Sequence, residues 1–123
     1  MRTRPSPELL QWIGLVAAPA AWTVQLLVGF GASVAACSDG GRSISLETWQ
    51  IAVTVAAAAV ALAGQTAAAV SWRTTRGHDE TDPPPAGRIR FFADAALVAN
   101  TIFIVLILLG GITAAHYTPC RQS

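Results

Sequence analysis

Ile102-Phe103-Ile104-Val105-Leu106-Ile107-Leu108-Leu109 is the most hydrophobic stretch of this 123-residue chain, and its reading decides the fold. It sits in an apolar block from about Phe91 to Ala115, enough for the ~20 residues that cross a ~30 Å hydrocarbon core. Two more blocks of similar size precede it, from about Leu9 to Ala36 and from about Thr48 to Trp72. The second is largely alanine, with Ile51, Val53, Val55, Val60, Leu62 and Val70 interspersed. Alanine alone inserts weakly, which makes this the marginal span. Composition agrees: 53% of residues are hydrophobic and 12% charged, about half the charged fraction of an ordinary soluble domain. The expectation is an all-α membrane protein, a single membrane domain over 1–123 with three transmembrane helices and a lipid bilayer as its first partner.

The ends of the blocks carry helix punctuation. Ser6 is a plausible N-cap, with Pro7 at the first helical position and Glu8 in the first turn. Span one stops at the polar turn Cys37-Ser-Asp-Gly-Gly, and Ser45 and Glu47 precede span two. Between spans two and three, residues 73–90 are rich in charge and contain Pro83-Pro84-Pro85 and Gly87, so this segment reads as a mobile Pro-rich linker. No internal repeat is present.

Every basic residue is an arginine. With the N-terminus inside, Arg2, Arg4, Arg73, Arg76, Arg88 and Arg90 are cytoplasmic and only Arg42 and Arg121 lie outside, the bias that short loops follow. This places the linker in the cytoplasm and the C-terminus outside. Trp49 and Trp72 bracket span two at a separation of roughly 34 Å, about one bilayer with its interfaces. Trp12, Phe91 and Phe92 mark the inner edge and Tyr117 the outer. Val34-Ala-Ala-Cys37 resembles a lipoprotein cleavage site. The apolar stretch before it, however, is about twice the usual 7 to 15 residues of a signal core and contains Pro19, Trp22 and Gln25, so it is read as a retained span.

Cys37 and Cys120 are the two cysteines, and the topology puts both outside. In an oxidising space thiols at neighbouring helix ends can form a disulfide. The alternatives are a metal site with His116 as third ligand, or two unpaired small hydrophobes. Asp94 lies about a turn inside span three, where a helix N-terminus favours a carboxylate and Arg90 is one turn away. Gln65 and Asn100 stand at similar depths, roughly 10 and 14 Å above the inner edge, and can hydrogen-bond across two helices. Trp22, Gln25, Gly29 and Ser33 share a helical stripe on span one. Ala57, Ala61, Gly64 and Ala68 repeat on span two at the spacing that permits close helix approach. Pro19 is expected to kink span one.

The net charge is +1, with no basic cluster longer than a pair, so nucleic-acid binding has no support. The chain has no Gly-rich phosphate loop, no His-Glu-x-x-His, no nucleophile elbow and no membrane-embedded histidine for haem. The reading is a non-enzymatic protein with no cofactor.

Gly14, Pro19, Ala21-Trp22, Gln25, Gly29 and Cys37, with Pro119-Cys120 near the end, resemble a known pattern. They look like the small three-helix membrane proteins that accompany bacterial cytochrome c oxidases. Those have a Gly-x-x-x-x-Pro-x-Ala-Trp first helix and a cysteine at each outer end. The likeness covers span one and the C-terminus and hardly touches span two or the linker. Phe30 stands where an aromatic hydroxyl is expected. The resemblance implies a multi-pass protein of the bacterial inner membrane, an accessory or assembly partner of a haem-copper oxidase that itself binds neither haem nor copper. The competing readings are a phage-type holin, which usually ends in a charged cytoplasmic tail, and a small membrane transporter component, which needs a midplane carboxylate that Asp94 is too near the interface to supply.

Overall fold

A computed structural model of the chain describes residues 5–38 and 46–116. Three helices form, α1 (Pro7–Ser38), α2 (Leu46–Thr74) and α3 (Ala86–His116), and there is no strand among the described residues. Each is long and apolar enough to cross a membrane, through Pro7–Ala35, Glu47–Thr74 and Ala86–Ala114, with α3 the most apolar. At ~1.5 Å per residue the helices span roughly 44 to 48 Å, beyond the hydrocarbon core and into the headgroup layers.

All three helix pairs touch, α1 against α2 most extensively. Hydrogen bonds and ion pairs join the start of α1, the end of α2 and the start of α3 at one end of the bundle. At the other end α1 meets α2 at Gly29 and Gln50, and α2 meets α3 where Thr54 abuts Gly111. The chain therefore runs up, down and up.

The distribution of side chains inverts that of a soluble bundle. Leu27, Phe30, Val55 and Val98 are each more than 60% exposed, whereas the core holds Ala18, Ala21, Ala57, Ala61 and Ile107. Trp22 and Phe103 pack onto this core with ring centroids 5.5 Å apart. Between helices surrounded by lipid no hydrophobic force operates, so small residues that admit close van der Waals contact hold the bundle. The stripe Ala57, Ala61, Gly64, Ala68 is buried along its whole length. A Cβ at Gly64 would lie 2.8 Å from that of Ala17, and one at Gly14 would lie 3.2 Å from the Ala68 backbone.

The start of α1 matches the sequence expectation, whereas the start of α3 departs from it. The Ser6 hydroxyl accepts from the Leu9 amide at 3.2 Å, an N-cap bond into the first turn, and α1 begins at Pro7. Helix α3 starts at Ala86, five residues before the apolar block. Proline is at home just before a helix, and the Pro85 carbonyl accepts the first bond, from Ile89, at 3.0 Å. Residues 86–90, expected in the linker, are thus helical. Residues 75–85, the rest of the expected linker, fold on themselves. The Asp82 carboxylate accepts from the Asp79 amide at 2.9 Å and meets the His78 ring at 3.2 Å, and Gly87 abuts the Asp82 carbonyl. With α3 begun at Ala86, Asp94 is its ninth residue, too far along to feel the helix N-terminus. Ser45, Tyr117, Cys120 and the turn after Ser38 lie outside the described residues.

Candidate functional site

The residues with chemistry to offer inside the bundle form a seam of neutral amides and hydroxyls running between the helices. Gln25, 7% exposed, donates from Nε2 to the Thr54 hydroxyl at 3.2 Å and to the Ile107 carbonyl at 3.1 Å, so one side chain ties all three helices. The Thr54 hydroxyl in turn donates to the Gln50 carbonyl at 2.7 Å. Gln50 reaches back to α1, donating to the Gly29 carbonyl at 3.2 Å and the Ser33 hydroxyl at 3.5 Å. Glycine at position 29 is what lets this amide approach, because a Cβ there would stand 3.1 Å from Gln50 Oε1.

Gln65 and Asn100 each cross between helices, but not to one another. Gln65 Nε2 donates to the Leu97 carbonyl at 3.4 Å and the Thr101 hydroxyl at 3.3 Å, joining α2 to α3. Asn100 is fully buried and donates to the Gly14 carbonyl at 2.7 Å, joining α3 to α1. Similar depth does not suffice for pairing, because the two side chains point into different helix interfaces. Both leave a carbonyl oxygen buried without a partner, as do Gln11 and the Ser71 hydroxyl. Among the stripe residues of α1, Gln25 and Gly29 are buried and Trp22 and Ser33 half-buried. They line, with Gln50, Leu106 and Gly110, a cavity of about 240 Å³.

A second cluster sits where α2 ends and α3 begins. The guanidinium carbons of Arg90 and Arg76 stand 4.7 and 5.6 Å from the centroid of the Trp72 ring. Arg90 also donates through Nε to Asp94 at 3.3 Å and through Nη1 to the Thr75 carbonyl at 3.5 Å. Its side chain is 19% exposed, so the charge is held by one carboxylate, one carbonyl and one aromatic face.

Gln50 and Thr54 belong to these contacts, and Gln11 is buried in the bundle, although neither their residue type nor their position singled them out. The available signal was the i, i+4 spacing of Gln50 and Thr54 on one face of an otherwise alanine-rich helix. Among the described residues no three His, Cys, Asp or Glu side chains stand together as a metal site. His116 is exposed at the end of α3, and Cys37 is exposed in the last turn of α1. The bond expected between Cys37 and Cys120 lies outside the described residues. The chain matches no family model, no curated protein and no solved structure.

Proposed function

We propose that the protein is a non-enzymatic accessory or assembly subunit of a membrane complex, with a respiratory haem-copper oxidase as its partner. The observation that carries this reading is what the residues shared with that kind of protein do here. Gly14 receives the Asn100 bond and admits Ala68, and Ala21 is buried in the core. Trp22 packs on Phe103, Gln25 ties three helices and Gly29 admits Gln50. Side chains engaged in joining helices build a scaffold. A surface for a partner helix accompanies it. Between α1 and α2 lies an apolar groove of about 390 Å³, floored by Ala20, Ala21, Ala56 and Ala57 and walled by valines and Trp49. Small residues at the floor allow a further transmembrane helix to pack closely.

The same proposal places the chain in a bacterial inner membrane, on the resemblance, and sets the N-terminus and residues 75–85 on the cytoplasmic side, on the six-to-two distribution of arginines. It joins Cys37 to Cys120 by a disulfide on the opposite side. Deletion tests the function. The amount of assembled oxidase is expected to fall while the haem spectrum of the remaining enzyme is unchanged, and the protein is expected to co-purify with that enzyme in mild detergent. Unchanged oxidase abundance together with loss of lysis or of export of a compound would replace this reading by a holin or a transporter component.

A further inference from the structure

At the end of the bundle where α1 and α3 begin, Glu8, Gln11, Trp12, Arg88 and Phe92 line an open cavity of about 400 Å³. Three features of this cavity point to a ligand. Gln11 is 95% buried by its 5% exposure, yet its side-chain oxygen has no hydrogen-bond partner, and a buried amide is ordinarily satisfied. Arg88 and Glu8 face each other at 3.7 Å, a loose pair, with side chains 53% and 71% exposed, so each keeps free hydrogen-bonding capacity. Trp12 is 57% exposed, at the level of the helix where aromatic side chains meet lipid headgroups.

We infer that this cavity holds the headgroup of a phospholipid that carries both a phosphate and a primary ammonium, that is, a phosphoethanolamine lipid. The guanidinium of Arg88 takes the phosphate, for which its planar fork is suited. The carboxylate of Glu8 takes the ammonium, whose N–H groups also supply the donor that Gln11 lacks once its buried amide turns toward the cavity. Trp12 and Phe92 cover the glycerol and the first acyl carbons. A choline headgroup has no N–H to give Gln11 or Glu8. An anionic headgroup brings a net negative charge against Glu8. The site therefore selects for a zwitterion that can donate hydrogen bonds. It does not depend on which complex the protein joins or on which membrane face the cavity opens.

The full-length protein in mild detergent, incubated with dioleoyl phosphatidylethanolamine, phosphatidylcholine or phosphatidylglycerol and examined by native mass spectrometry, tests this. Phosphatidylethanolamine is expected to be retained about tenfold better than either other lipid, the scale of one charge-assisted hydrogen bond. Glu8→Gln is expected to remove the preference over phosphatidylcholine, and Arg88→Gln to weaken retention of all three. Both positions are exposed, and an unchanged thermal unfolding midpoint shows that the variants fold. If one does not, the ranking by the unaltered protein still decides. Equal retention of the three lipids, a preference for phosphatidylcholine, or an unchanged preference in folded Glu8→Gln overturns the assignment. Displacement of the lipid by equimolar free O-phosphoethanolamine overturns the lipid as its source.

Discussion

Replacing Gly64 with alanine adds one methyl at the tightest place between α1 and α2. The new Cβ stands 2.8 Å from the Ala17 Cβ, with the Ile13 carbonyl and the Ala18 amide behind it at 3.5 and 3.6 Å. Carbon atoms pack best at ≈ 3.5–4.0 Å, so the helices must separate locally by roughly 1 Å. A Cβ moves only with its backbone, so no change of rotamer relieves the contact. Overpacking of this kind costs ~1–3 kcal/mol, while replacing glycine by alanine inside a helix returns ~0.8–1.0 kcal/mol. The sum is a destabilisation of about 1 kcal/mol. Gly31 supplies the control, since a Cβ there meets nothing within 4 Å, and Gly31→Ala should gain only the propensity term. The difference between the two variants is then the steric cost alone. Titration with sodium dodecyl sulfate from mild-detergent micelles, followed by far-ultraviolet circular dichroism, measures it. Should Gly64→Ala resist unfolding as well as Gly31→Ala does, close packing at this stripe is not what holds the two helices together.

In the seam, Gln25→Leu loses two interhelical bonds and should destabilise by about 1–2 kcal/mol, whereas Asn100→Leu loses one bond but also removes an unpartnered buried oxygen and should cost less than ~1 kcal/mol. The reverse order in the same titration would refute the assigned pairings. Trp72→Leu removes the aromatic face under Arg90 and Arg76, worth ~0.5–2 kcal/mol, and should speed tryptic cleavage after Arg76 several-fold. An unchanged rate would show that the ring does not hold this connection. Thiol labelling of the denatured, unreduced protein should modify neither Cys37 nor Cys120 until a reductant is added, and two freely alkylated cysteines would exclude the bond.

The three helices were legible because hydrocarbon thickness imposes one length on any spanning segment, and the blocks ending near Ala36, Trp72 and Ala115 meet it. Their true ends were less so. Ser6 and Pro7 announced the start of α1, but Ala86 begins α3 in polar sequence, where the Pro85 carbonyl that takes the first bond matters more than hydropathy. The small-residue stripe of α2 could be read from spacing, because close approach requires small side chains at fixed intervals. The polar partners could not. Gln50 sits beside Trp49 and Gln11 beside Trp12, positions that look interfacial in one dimension, yet both are buried by a neighbouring helix. Which amide meets which carbonyl depends on the relative rotation and offset of the helices, and periodicity within one helix carries no information about either.

The buried face of α2 has a consequence for how the chain enters its membrane. Ala57, Ala61, Gly64 and Ala68 offer acyl chains little contact, and their value lies in the fit to Ala17, Ala18 and Gly14 of the preceding helix. A ribosome delivers α1 first, so by the time α2 emerges its complementary surface is already in place. The smallest unit with a reason to insert is accordingly a hairpin of α1 and α2. The strongly apolar α3 can follow on its own account.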